Sequence, residues 1–237
     1  MKVQKYELPP FESHLTKGEL AAVLVYLPLH FWLLPIMGGV LLEKGWGGAK
    51  VNFLLYAIGA VYLLIFLGRF LRRDFDPLCE HPMRVAVEVI TCYGMMLCFN
   101  FVLGLLLSFL PLPGTNPNND AVMAMAKQDY GYMAAMTIFL APLVEELVFR
   151  AGIFGFARRF SRRWAYVIGI ALFAMYHIWP YALAEPIYWL FMIQYIPAGY
   201  LLCSCYERCA SIWGSIFYHM LTNAISLQAL SQLENML

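Results

Sequence analysis

Charge is what this sequence has least of. Only 13% of its 237 residues are Asp, Glu, Lys or Arg, against about a quarter in a soluble domain. Hydrophobic residues make up 62%, and they fall in long runs rather than at the short amphipathic spacings of a soluble core. A soluble globular domain is therefore excluded. The formal net charge is +1, so no basic surface speaks for nucleic acid. A disulfide framework is missing as well: most of the six cysteines lie within or beside apolar runs, where Cys serves as a small hydrophobe. Cys203, Cys205 and Cys209 lack a second ligand pair at metal-site spacing. Acylation of a juxtamembrane Cys is a minor reading beside packing. No internal repeat or low-complexity tract is visible. A cleavable signal is not expected either, because the apolar run from Leu20 to Leu42 is too long for a signal core and has no small-x-small exit. It reads as a retained first span.

What is there is a series of apolar segments near 20–42, 51–71, 85–110, 130–157, 164–180, 188–206 and 211–230. About 20 apolar residues cross the hydrocarbon core as a helix, and these lengths exclude spanning strands. The expected fold is all-α, a polytopic transmembrane bundle of about seven spans in one domain, 1–237. The stretch from Pro111 to Asn119 is the clearest loop, rich in turn formers. With the N-terminus inside, the inner segments hold twelve Lys and Arg, from Lys2, Lys5 and Lys17 to Arg163 and Arg208, and the outer ones hold Lys44, Lys50 and Lys127. Twelve against three is a strong positive-inside bias.

A few polar groups stand inside these spans, where each ionisable residue costs about 2.5–3.5 kcal/mol even on insertion scales and points to function. Glu145, Glu146 and Arg150 lie on the fourth span, His177 on the fifth, His219 and Asn223 on the seventh. At about 1.5 Å per residue, Glu145, His177, His219 and Asn223 each lie roughly 16–22 Å outward of the Arg at the inner end of their helices. Three helices thus bring polar groups to nearly one level. Glu146 and Arg150 are four apart with Glu first, the favourable order for an ion pair. Glu145 points about 100° away and is left unexplained by that pair. A carboxylate beside another in low dielectric suits proton transfer. Pro142, one turn earlier, removes a backbone bond and bends the helix. His219 and Asn223 share a face and offer two donors toward one point, as an oxyanion requires; helix–helix hydrogen bonding explains the pair equally well. Phe173 lies four residues before His177 and can support its ring. His30 reads as a hydrogen-bonded packing residue, Glu88 as reaching the interface, Asn100 and Gln194 as interhelical bonds.

Taken together, Glu145-Glu146-Leu147-Val148-Phe149-Arg150 resembles the Glu-Glu-x-x-x-Arg signature of the CAAX protease and bacteriocin-processing family, which includes the type II CAAX prenyl endopeptidases and the bacterial Abi-type proteins. Phe173 to His177 is similar to its Phe-x-x-x-His motif and His219 to Asn223 to its His-x-x-x-Asn motif, in the same order. The resemblance covers roughly 130–230 and implies a catalytic core at 129–231, with 1–128 supplying three spans and a connecting loop without motifs. Departures are Ala151 where Gly is frequent, Cys203 in place of one of two glycines, and Cys209-Ala210 in place of a Thr-Gly turn; they touch packing, not the polar set.

The resemblance implies that Glu145 with His177 activates a water, that His219 and Asn223 stabilise the oxyanion, and that Glu146, Arg150 and Phe173 support them. It also implies an intramembrane endopeptidase acting on a peptide or protein that enters from the bilayer, in bacteriocin or peptide maturation or in self-immunity, in a bacterial cytoplasmic membrane. No cofactor is favoured. A divalent metal such as zinc on Glu145, Glu146, His177 and His219 is the alternative, against which stands the lack of a His-Glu-x-x-His pair. Two other classes compete: a non-proteolytic scaffold or immunity factor, against which the intact polar set speaks, and a proton-coupled transporter, for which repeat symmetry is missing.

Overall fold

The computed structural model describes residues 11–13, 15–109 and 114–236, and all of its regular structure is helical. Lys2, Lys5 and Pro111–Pro113 lie outside the described residues. Among the described residues, six helices are long and apolar enough to cross a membrane: α1 Lys17–Glu43, α2 Gly48–Arg73, α3 Pro82–Leu107, α5 Tyr130–Arg158, α6 Arg162–Ala184 and α7 Pro186–Cys209. The chain is an integral membrane protein. Between α3 and α5 runs a shorter helix, α4 Pro117–Gln128, and the chain continues after α7 into α8, Ile212–Met236. The seventh expected span is thus a helix, but it is not among the six. Ser215, His219, Thr222, Asn223 and Ser226 dilute its apolar character, and it packs against α3, α5 and α7.

Local chemistry sets the boundaries. Thr16 and Glu19 form a reciprocal capping box at the start of α1, with Glu19 Oε2 accepting from Thr16 N at 2.8 Å. Pro28 lies inside α1, and the next five residues, Leu29–Leu33, widen into a π-turn that carries His30. The 111–119 loop is shorter than expected: Asn116 caps α4, its side chain accepting from Asn118 N at 3.0 Å. Pro117 then occupies a first-turn position where its missing N–H costs nothing. α7 begins as ten residues of 3-10 helix, Pro186–Tyr195, and continues as α-helix, Ile196–Cys209. The turn into α8 places Ala210 at φ 52°. Asp74, at the end of α2, accepts through its carboxylate from Ile212 N and through its backbone oxygen from Ser211 Oγ, so the start of α8 is tied to α2.

α5 is the axis of the bundle; more than half of its apolar window is buried, against about a quarter for α2 or α6. Two stretches of α5 are π-helical, Met136–Leu140 and Glu146–Phe154. The core formed around it joins α1, α2, α3, α6, α7 and α8. At the end of the bundle away from α4, Glu207 of α7 binds Arg158 at 2.7 Å and Arg162 at 2.8 Å, locking α5, α6 and α7 together. Glu88 pairs there with Arg208 at 2.9 Å.

Candidate active site

The polar residues of α5, α6 and α8 meet. Glu146 and Arg150 are both fully buried, with Arg150 Nη1 3.0 Å from Glu146 Oε1. The guanidinium lies over the Phe173 ring at 4.0 Å from its centroid, a cation–π contact in a desolvated place. Glu146 Oε1 has a second partner, His219 Nδ1 at 2.9 Å. A carboxylate can only accept here, so Nδ1 carries the proton and His219 Nε2 is turned the other way, toward Glu145. Glu146 therefore joins Arg150 and His219 and orients the imidazole.

His177 is oriented in the same manner by a different acceptor. Its Nδ1 lies 2.9 Å from the carbonyl of Phe173, which again makes Nδ1 the donor and leaves Nε2 facing the site. Phe173 supports the ring from one side, with centroids 4.5 Å apart, and Tyr195 stacks on it at 4.5 Å and 23°. Glu145 Oε2 sits 3.8 Å from His177 Nε2 and 3.9 Å from His219 Nε2. These separations exceed a direct hydrogen bond and suit a bridging water. Oε2 is also buried without a hydrogen-bond partner, whereas Oε1 accepts from Tyr56 Oη at 3.3 Å.

Asn223 faces the same cavity, and its Nδ2 donates to the carbonyl of Thr137 at 2.9 Å. The local backbone explains why that carbonyl is available. Ala141 N bonds back to Met136, and the next residue, Pro142, has no N–H to offer Thr137. Asn223 takes that place with one N–H and has a second left. Pro142 thus frees a carbonyl that fastens α8 to α5.

Glu145, His177, His219 and Asn223 all line one cavity of about 670 Å³, which extends from His30 and Tyr56 to the start of α4. Its far end is rich in amides. Asn116 Nδ2 donates to Gln194 Oε1 at 2.7 Å, and Asn118 Nδ2 to Tyr195 Oη at 3.0 Å. Among the described residues, no three His, Cys, Asp or Glu side chains are grouped so as to hold a metal ion.

A family model, Type II CAAX prenyl endopeptidase Rce1-like, matches residues 127–225. Over these residues the chain is similar to that family. No curated protein and no solved structure matches the chain. The Rce1-like family implies an intramembrane protease with a protein or peptide substrate, and the buried cluster of Glu145, Glu146 and His219 is consistent with its active site.

Three groups in contact with this set are not apparent from the motifs. Tyr56 lies on α2, outside residues 127–225; Tyr176 precedes His177; Tyr195 ends the 3-10 segment of α7. The sequence carries one signal for them, since a phenol buried in a span needs a hydrogen-bond partner. Which partner it takes is a matter of packing.

Proposed function

We propose that the protein is an intramembrane endopeptidase in which Glu145 deprotonates a water held between three atoms. The observation that carries this reading is the unpartnered Glu145 Oε2, facing His177 Nε2 at 3.8 Å and His219 Nε2 at 3.9 Å inside a cavity. A water there gives one proton to Glu145 Oε2 and hydrogen-bonds through the other to the lone pair of His177 Nε2. Its oxygen is then directed at a peptide carbonyl. As the tetrahedral intermediate forms, the carbonyl oxygen takes up negative charge, met by His219 Nε2–H and the free N–H of Asn223. Glu145 returns its proton to the leaving nitrogen as the C–N bond breaks, so that water and peptide become a carboxylic acid and an amine.

Charge counting supports His219 as the donor. With His219 protonated, the buried carboxylates Glu145 and Glu146 are balanced by Arg150 and His219. When the water's proton passes to Glu145, the negative charge it cancels reappears on the oxyanion, so the total stays at zero through the step.

The proposed catalytic core is 129–231, with 1–128 supplying the first three spans and the connecting segment. The N-terminus faces inward, following the positive-inside bias. In that orientation the Asn116–Asn119 end of the cavity faces outward. Substrates are peptides entering from the bilayer, in maturation or self-immunity in a bacterial membrane.

The test is cleavage of a quenched fluorogenic peptide library by purified protein in detergent. Glu145→Gln is expected to lower turnover by about 100- to 10,000-fold, the range of general acid–base contributions. Full retention of cleavage refutes Glu145 as the base. Activity is expected to survive exhaustive chelation; its loss, restored by zinc, transfers the mechanism to a metal. A wild type that cleaves nothing while Glu145→Gln still confers bacteriocin immunity supports the scaffold instead.

A further inference from the structure

The hydrogen bond from Tyr56 to Glu145 ends a longer chain. Tyr56 Oη lies 2.6 Å from Tyr176 Oη, which lies 2.8 Å from His30 Nε2; His30 Nδ1 in turn lies 3.1 Å from Tyr26 Oη. Counting protons sets its direction. Glu145 as a carboxylate has none to give, so Tyr56 spends its single O–H on Oε1 and can only accept from Tyr176. Tyr176, having donated, must accept from His30, which places the imidazole proton on Nε2. His30 Nδ1 then accepts from Tyr26. Every donor points toward Glu145, and each proton is used once.

We propose that Tyr56, Tyr176 and His30 are positioning residues for Glu145, holding Oε1 so that Oε2 is presented to His177 and His219. This rests on the reading of Glu145 as the base. A carboxylate turns easily about its last torsion, and misplacement of a reacting atom by about 1 Å can cost about 100-fold. Hydrogen bonds in such a chain reinforce one another in low dielectric. The far end is held by packing: Tyr26 is buried and stacks on Tyr62 at 5.4 Å, and a Cβ at Gly59 would overlap the Tyr26 hydroxyl. The π-turn of α1 carries His30 in this chain, and Phe149 packs on Tyr176 at 5.2 Å. Tyr26, His30 and Tyr56 all come from α1 and α2, outside residues 127–225. The first two spans thus complete a site whose motifs lie elsewhere.

The chain's direction sets the test. Wild type, Tyr56→Phe, His30→Leu, His30→Gln and Glu145→Gln are purified in detergent and assayed on the quenched library, with kcat and KM measured on its best substrate. Tyr56→Phe and His30→Leu are expected to lower kcat by about 10- to 100-fold with KM changed less than about twofold, the split expected when the bonds that orient Glu145 are weakened and uniform binding of substrate is kept. His30→Gln is expected to recover most of kcat, because its amide N–H can stand for Nε2–H and its oxygen for Nδ1.

If Tyr56→Phe and His30→Leu turn over like wild type while Glu145→Gln is inactive, the positioning role falls and the base assignment stands. An active Glu145→Gln overturns the base assignment. Thermal unfolding supplies a readout without substrate. His30→Leu combined with Tyr56→Phe should lose less stability than the sum of the two singles, since both break one chain; strict additivity overturns it.

Discussion

Replacing Arg150 with Met removes the cation from a fully buried ion pair. Both Arg150 and Glu146 are 0% exposed, and their closest approach is 3.0 Å. Removing one partner of such a pair leaves the other charged and uncompensated, at a cost of about 3–5 kcal/mol. The loss of the guanidinium from the Phe173 face adds up to about 2 kcal/mol. His219 offsets part of this, because its Nδ1–H still meets Glu146 at 2.9 Å. The expected loss for Arg150→Met is therefore about 3–5 kcal/mol, read as the shift of a reversible unfolding midpoint in mixed micelles. The decisive comparison is the double variant Glu146→Gln/Arg150→Met. It removes both charges and keeps a carbonyl oxygen to accept from His219. Replacing a whole buried pair is often close to neutral, so the double variant is expected to be more stable than Arg150→Met alone. If the two substitutions simply add, or if Arg150→Met costs less than about 1 kcal/mol, the account of Glu146 as the shared anion of Arg150 and His219 is refuted.

Two further outcomes follow from single contacts. Ala210, at φ 52°, holds a left-handed conformation that costs an L-residue about 1–2 kcal/mol. Ala210→Gly is expected to raise stability by about 0.5–1 kcal/mol in the same unfolding assay, and a loss would show that the turn is not strained. Tyr195→Phe keeps the ring that stacks on His177 but loses the hydroxyl that binds Asn116 at 3.2 Å and Asn118 at 3.0 Å. Hydrogen exchange across α4 should then quicken by roughly 5- to 10-fold, matching about 1 kcal/mol of lost docking, and unchanged exchange would detach α4 from Tyr195.

Much of the site is legible in the amino-acid sequence. The spacing of Glu146 and Arg150, and of His219 and Asn223, carries meaning because residues four apart share one face of a helix. The common level of the three polar groups follows from the constant rise per residue. What these rules do not contain is the partner of each atom. His30 has the look of a packing histidine, and both its nitrogens are indeed hydrogen-bonded, yet the chain they belong to ends on Glu145. Asn223 shares a face with His219, but one of its N–H groups goes to a carbonyl that Pro142 left open 86 residues earlier in the chain.

The sparse charge and the long apolar runs by themselves decide that this is a helical membrane protein, because lipid cannot satisfy a backbone polar group and each helix satisfies its own. They also single out Glu145, Glu146, Arg150, His177, His219 and Asn223, because polar groups are costly in that solvent wherever they occur. Only the tertiary structure brings His219 to the Glu146–Arg150 pair and turns Glu145 Oε2 toward the Nε2 atoms of His177 and His219. Hydrogen bonds are decided within a few tenths of an ångström. Those distances are set by α1, α2, α6 and α8 closing around α5, whose π-turns and proline shift its side chains and carbonyls away from the positions an ideal helix would assign.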